Sequence, residues 1–552
     1  MGNESKDTVL KDAGSQGTGS KGTAPKETGQ RISMVRLMSG DFFGIEGRLV
    51  EVQVDVTSRG TPGFNVVGLP GKSIRESRER IRAAITNSGF RFPYRERILV
   101  NLAPAAEEKQ GSGLDLAMAL GILIASGQLR SLTHLIGAEG FFEEHGFLGE
   151  LGLSGELRRV PGAILTAHAL REQGISRLVV ARGNVREASL IEGACVLPAA
   201  DLHGAIRALE GKVASASDLE LCEPASSPRV GGVADVDFAH VRGQEATKRA
   251  LLVSAAGGHN IVLVGPPGVG KTMLARRLPG ILPPMTFSEA MHVTRILSVL
   301  GQEIRERLVD IRPFRAPHHT VSYAGLVGGG SRLTPGEVTR AHCGVLFLDE
   351  LPEFNRRSLE ALREPVEEGQ ITIGRSTGSA TFPASFLLMA AMNPCPCGFR
   401  GHPKRECTCS AFAVRAYRQR ISGPLLDRLD LFVDVNPVDA GDLLEQRSAG
   451  PSTSSETLRN AVLRARTLQQ ARWGPDRTNA KAQLGPLLKK GAVRQGALDL
   501  LKKSAERLCL SARGFTRCLR VARTVADVEA SPQVEVGHVA EALCYREALR
   551  YN

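Results

Sequence analysis

The clearest chemistry in this chain lies in GPPGVGKT, which runs Gly265, Pro266, Pro267, Gly268, Val269, Gly270, Lys271, Thr272. It fits G-x-x-x-x-G-K-[ST] and sits between an apolar run, NIVLVG, and a segment with helical patterning. In that setting the glycines let backbone N–H groups close around phosphate oxygens. Lys271 would reach the β and γ phosphates, and the Thr272 hydroxyl would ligate Mg2+. GVLFLDE supplies the complement: Asp349 at a strand tip for the Mg2+ shell, and Glu350 to orient a water toward the γ-phosphate. Asn393 ends another apolar run, SFLLMAAMN. If that run is the strand beside the acidic one, Asn393 emerges next to the γ-phosphate and can sense it. Arg428, in RISGPLLDRLDLFVDV, precedes a further apolar run. In a ring it would reach a neighbouring subunit's nucleotide; a surface salt bridge is the competing reading.

Directly after Asn393 come four thiols, in PCPCGFRGHPKRECTCS. Cys395, Cys397, Cys407 and Cys409 could supply four thiolates to one tetrahedral Zn2+, with His402 as a substitute ligand. Paired ligands in structural zinc sites are usually two to four residues apart, so the one-residue spacing leaves free thiols or occasional disulfides open.

Positioning these side chains needs a sheet. NIVLVG, GVLFLDE, SFLLMAAMN and LDLFVDV read as four short strands, and continuous apolar runs of this kind suit a parallel sheet buried on both faces. This places an α/β module over residues 237–440, with the thiol loop at 395–409 inside it. Residues 441–552, rich in Ala, Leu, Arg and Lys at helical spacing, predict an all-helical lid. Upstream, LVEVQVDVTSRG alternates at period two as a half-buried strand, and Ile74, Ile81 and Ile85 share a face of a predicted helix. RILVNL and RLVVA as strands, with LDLAMALGILIAS and GAILTAHALREQG as helices, complete a second α/β module over 34–208. Residues 209–236 lose periodicity and read as a linker, and residues 1–33 as a polar disordered tail.

Composition narrows the partners. At 552 residues the chain needs several domains, and its net charge of +12 favours polyanions such as nucleic acid. Aromatics at 5% argue against an extended base-stacking platform, so contact with phosphate backbone fits better. The most apolar stretch, LDLAMALGILIASGQL, carries Asp115 and falls short of a membrane span. The amino terminus lacks the apolar core of a secretory signal, and Lys6 stands where a myristoylation motif needs Ser or Thr, so the expected location is cytoplasmic. The thiols are then expected to be reduced.

Taken in order, these blocks resemble the AAA+ ATPases. FAHVRGQEATKRALLVSAAGGHNIVLVGPPGVGKT, RPFRAPHHT, GGGSRLTPGEVTRAHCGVLFLDELPEF and MNPCPCG resemble, more narrowly, the magnesium-chelatase-like family in its ComM/YifB branch, over nearly all of residues 34–552. The resemblance implies an AAA+ P-loop NTPase core, a Lon/S5-like α/β amino-terminal domain and a helical carboxy-terminal lid. It implies ATP and Mg2+ as ligands, Asn393 as sensor 1, Arg428 as an arginine finger in trans, and sensor 2 within SARGFTRCLRVARTVAD, as Arg513 or else Arg517. Two insertions are expected to be hairpins facing a ring pore: RPFRAPHHT with SYAGLVGGG, which carries His318 and His319, and GQITIGRSTGSATFPAS. A pair of histidines in a Pro-bounded turn is also often structural.

By the same resemblance the function is that of a hexameric ATPase ring moving along branched or single-stranded DNA. Its expected task is branch migration as a helicase during recombination of incoming DNA in natural transformation, with recombination proteins as partners. The competing implication is a chelatase motor driving magnesium into a porphyrin. Lon-type proteolysis is disfavoured. The Lon pattern laid from Lys109 puts Gly113 at the serine position, with Ser112 one residue early, and laid from Gly162 it puts Ile164 where the activating lysine belongs. Arg75, Arg78, Arg80 and Arg82, on one predicted helix, could instead contact phosphates or form a solvated face.

Overall fold

The computed structural model describes residues 34–109, 111–129, 132, 144–213, 236–304, 308–330, 333–375, 378–438, 454–475, 477–490 and 492–547. The expected tail, most of the expected linker and residues 439–453 lie outside the described residues.

The chain from residue 236 builds around a five-stranded sheet. Its order is Phe314–Arg315, Val345–Leu348, Leu387–Met392, Ile261–Val264 and Leu431–Asp434, and every pairing is parallel. Alternate residues of each long strand enter opposite cores. Ile261, Leu263, Val345, Phe347, Met389 and Val433 pack on one face; Val262, Leu346, Leu348, Leu388, Ala390 and Phe432 pack on the other. That two-sided burial is why these runs are apolar throughout. The sequence reading found four of the five strands. The fifth, Phe314–Arg315, has only two residues and no apolar run to reveal it.

RPFRAPHHT and SYAGLVGGG correct the expectation of a simple hairpin. They supply that fifth strand, a short helix Tyr323–Val327, and a two-residue antiparallel pairing of Gly328–Gly329 with Thr334–Pro335. GQITIGRSTGSATFPAS does form the expected antiparallel hairpin, Gln370–Arg375 with Gly378–Pro383.

Helices Ser455–Trp473, Gln495–Arg507, Ala512–Val528 and Val536–Glu547 form a bundle. Leu458, Val462, Leu519 and Ala522 of this bundle continue the same core as one sheet face, joined through helix Glu245–Gly257. One polar cluster pins the bundle at the start of the last strand. Asp430 lies 2.8 Å from Arg517 and accepts from the Asn260 backbone N–H at 3.1 Å, with the His259 ring 3.6 Å away.

The amino-terminal module is a seven-stranded mixed sheet in the order Gly63–Val67, Arg97–Ala103, Glu46–Thr57, Met34–Phe43, His145–Leu148, Arg177–Ala181, Cys195–Ala199. Helix Asp115–Ala125 is buried along its whole length. The arginine-rich helix spans Lys72–Asn87, and its Ile74, Ile81 and Ile85 are buried as predicted. Arg80 is not available for phosphate, because it is paired at 2.9 Å with Asp115, which is fully buried. Arg82 pairs with Glu79 and lies over the Phe92 and Tyr94 rings.

The two α/β modules meet through apolar packing, Phe43 and Ile45 on one side and Met291 and Val299 on the other, and through polar contacts. The Gly162 N–H donates to Ser298 O at 3.2 Å, Arg159 donates to Gly301 O at 2.8 Å, and the Ser298 hydroxyl bonds Glu187. Among the described residues no helix is long and apolar enough to cross a membrane.

Candidate active site

The cleft forms at the carboxyl ends of the parallel strands, where an open α/β sheet places its ligands. Gly270 sits at φ +88°, a left-handed conformation that costs glycine nothing, and it starts helix Lys271–Arg277. The turn lets Lys271 fold back. Its ammonium donates to Gly265 O at 2.7 Å, Pro266 O at 2.9 Å and Asn393 Oδ1 at 3.1 Å. Burial lowers the Lys271 pKa from its ordinary value, and the carboxylates of Asp349 and Glu350 pull the other way. The Thr272 hydroxyl donates to Asp349 Oδ2 at 2.7 Å, so the two expected Mg2+ ligands already touch. Lys271, Thr272, Asp349, Glu350 and Asn393 line one cleft of about 350 Å3 with Pro267, Gly268, Val269 and Gly270.

The strand adjacency on which the reading of Asn393 depends is observed. Leu387–Met392 lies between the Ile261–Val264 and Val345–Leu348 strands, and Asn393 leaves its carboxyl end into the cleft. Sequence reasoning missed one neighbour. His319 Nδ1 stands 3.3 Å from Glu350 Oε2, its ring packs against His318 at 4.1 Å between centroids, and Glu350 holds φ +53°. The histidine pair had been singled out, but a contact across thirty-odd residues has no signal in spacing.

Neither predicted arginine reaches this cleft within the chain. Arg428 lies before the last strand, at the amino-terminal edge of the sheet, and about 13 Å of strand separates that edge from the phosphate loop. Its side chain is 7% exposed, paired with Glu367 at 2.7 Å and bonded to Pro424 O at 2.7 Å. Arg513 is exposed on the first turn of Ala512–Val528, and Arg517 is committed to Asp430. Among the described residues lining the cleft there is no arginine.

The thiols converge beside the same strand. Cys395, Cys397, Cys407 and Cys409 place their sulfurs within 4.8 Å of one another. His402 does not join them; its Nδ1 accepts the Lys404 and Arg405 backbone N–H groups at 3.0 and 3.1 Å. In the amino-terminal module the Ser112 hydroxyl donates to Glu150, and buried Lys109 donates to Gly68 O, Leu102 O and Pro104 O. Ile164 is buried and apolar, so the geometry assembles no Ser–Lys dyad there.

Comparison with known proteins agrees with this geometry. Residues 237–443 match the family described as magnesium chelatase, subunit ChlI; residues 50–184 match subunit ChlI of Mg-chelatase; residues 452–546 match its C-terminal part. The chain is 39% identical over 520 residues to competence protein ComM of Haemophilus influenzae, covering 94% of this chain and 98% of that protein. It is 40% identical over 504 residues to YifB of Escherichia coli, covering 91% and 95%. The chain belongs to the ComM/YifB family of magnesium-chelatase-like AAA+ proteins. Membership of this family implies ATPase activity and an oligomeric AAA+ assembly. A more distant likeness, 26% over 289 residues, is to the magnesium-chelatase 67 kDa subunit of Heliobacterium mobile, covering 46% of this chain and 41% of that protein.

Proposed function

We propose that this protein is a ring-forming AAA+ motor, a hexamer that hydrolyses ATP to move along branched or single-stranded DNA in the cytoplasm. Its task is branch migration as a helicase during recombination of incoming DNA in natural transformation. The observation that carries the reading is the Lys271–Asn393 and Thr272–Asp349 pairing in one cleft, in a chain similar over nearly its full length to a competence protein. In this reading Lys271 and the backbone from Gly265 to Gly270 hold the phosphates, and Thr272 and Asp349 hold Mg2+. Glu350, oriented by His319, polarises the attacking water, and Asn393 registers the γ-phosphate. Arg428 acts as an arginine finger on a neighbour's nucleotide, in keeping with its place at the opposite edge of the sheet from its own cleft, and Arg513 serves as sensor 2.

The net charge of +12 supports a polyanionic track. The second reading, a chelatase motor acting on a porphyrin, draws on the likeness to the Heliobacterium mobile subunit; that likeness covers 46% of this chain, against 94% for the competence protein. Proteolysis has no support from the Ser112 and Lys109 geometry.

ATP turnover measured with and without forked DNA at low and moderate salt separates the readings. Stimulation by DNA, with affinity falling steeply as salt rises, is the expected result. Turnover that ignores DNA, together with no DNA retention, removes the recombination role.

A further inference from the structure

The stretch from Asn393 to Ser410 links the sensor strand to helix Ala411–Arg418 and contains no regular element. A loop of that length inside a packed domain needs something to organise it. Phe399 gathers His402 and Arg405 around its half-buried ring, but the residues buried in the loop are only Cys395 and Gly398. What the loop does have is convergent sulfur. Cys395 Sγ lies 3.4 Å from Cys397 Sγ and 3.6 Å from Cys407 Sγ, Cys397 and Cys407 are 3.6 Å apart, and the Cys397 backbone N–H donates to Cys409 Sγ at 3.3 Å. A disulfide brings its sulfurs to about 2.0 Å. Four thiolates at about 2.3 Å around a tetrahedral cation stand roughly 3.8 Å apart. The observed spacings match the second arrangement and not the first.

The one-residue spacing that made the motif atypical is accommodated by turns. Gly398 follows the first pair at φ +84°, and its N–H bonds Cys395 O at 3.0 Å, which brings both thiols of that pair to one side. Charge fits as well. Four thiolates around a divalent ion leave a net charge of minus two, and the loop carries Arg400, Lys404 and Arg405 against Glu406, while Arg418 donates to Pro394 O at 3.4 Å.

We infer that Cys395, Cys397, Cys407 and Cys409 bind one Zn2+ per chain, and that this knot holds the phosphate loop and Asn393 in register. The second half rests on the nucleotide-site reading above; the first does not. The contact that transmits the constraint is Gly398 against Pro267 of the phosphate loop. A Cβ on Gly398 would stand 2.7 Å from Pro267 Cδ and 3.9 Å from Asn393 Cγ, so the zinc loop and the nucleotide cleft share a wall. Cys395 is two residues from Asn393, so fixing its sulfur also fixes the sensor's backbone exit. All-sulfur ligation selects a soft tetrahedral ion with no open coordination position, which makes the site structural.

The test uses the untagged full-length chain, purified reduced. Elemental analysis should find one zinc per chain. Chelator-stripped protein titrated with Co2+ should develop the visible absorption of tetrahedral thiolate ligation, then lose it when Zn2+ is added. Cys407→Ser with Cys409→Ser should lose the metal and raise the KM for ATP, and stripped wild-type protein should regain its turnover on adding Zn2+. Lys271→Ala should lose turnover and keep its zinc. A reduced chain that takes up neither Zn2+ nor Co2+ overturns the site, as does a double serine variant that binds zinc as wild type does. Stripped protein with unchanged kcat and KM overturns the coupling to the phosphate loop. If the double variant does not fold, the Co2+ titration of wild type decides the site and the stripped protein decides the coupling. Full zinc in a wild-type chain that never hydrolyses ATP would support the metal site while ending the nucleotide reading.

Discussion

At the scale of single residues the proposed roles divide the cleft between binding and hydrolysis. Among the described residues Lys271 is the only ammonium lining it, and its three partners are two loop carbonyls and Asn393. Lys271→Ala is therefore expected to abolish detectable nucleotide binding or turnover, read by equilibrium binding of a fluorescent ATP analogue and by phosphate release. Glu350→Gln should still bind ATP but slow hydrolysis on the order of a hundredfold or more, since it keeps the shape and removes the group that polarises water. His319→Ala is the more discriminating change. If His319 orients Glu350, kcat should fall about tenfold or more while the KM for ATP holds. A variant with unchanged kcat would remove His319 from the site. The motif residues were legible because their chemistry is local in sequence. The His319 contact was not, because a side-chain pair formed by two different strand ends leaves no spacing to read.

At the scale of elements, what the sequence shows follows from how each strand is buried. Strands buried on both faces announce themselves as apolar runs, and the order of motifs along them is enough to place Asn393 beside Asp349 and Lys271. The two-residue strand at Phe314–Arg315 and the docking of the helical bundle leave no such trace. Besides the shared apolar core, that docking includes Asp430, a carboxylate buried between Arg517, His259 and the Asn260 N–H. Burial alone would raise its pKa. The neighbouring His259, with Arg517 and Arg546, overcomes burial and holds the carboxyl down to about 2. Its folded pKa thus lies below the unfolded value near 3.9, so its contribution of about 2 to 3 kcal/mol is complete above about pH 4 and is lost as pH falls through 2. Asp430→Asn leaves Arg517, whose side chain is only 13% exposed, without its counter-charge and should cost about 3 kcal/mol at neutral pH, seen as a lower urea midpoint. The gap between wild type and variant should narrow on acidification from pH 5 to pH 3. A gap that stays constant with pH would mean the carboxylate charge is not what anchors the bundle.

At the scale of the whole molecule, the proposed function turns on where the arginines lie. The cleft offers a lysine, a hydroxyl, two carboxylates and an amide, with no guanidinium among the described residues lining it. Arg428 faces the other edge of the sheet, with Glu367 holding it at 2.7 Å and Glu367 itself 41% exposed. An ion pair at that edge is positioned to be handed to the cleft of an adjoining copy, and transition-state charge on the transferred phosphoryl group rewards a guanidinium strongly. Arg428→Ala should then reduce turnover on the order of a thousandfold while leaving ATP binding intact, because the residue touches nothing in its own cleft. Mixing Arg428→Ala with Lys271→Ala gives the decisive readout. Some interfaces in a mixed assembly join an intact Lys271 cleft to an intact Arg428, so turnover should reappear in the mixture although neither variant has it alone. The recovered rate should rise and fall with the mixing ratio, peaking near equal amounts. If the mixture stays silent while sizing shows that the two variants co-assemble, Arg428 works within its own chain or only as Glu367's structural partner, and the idea that two copies complete each active site fails.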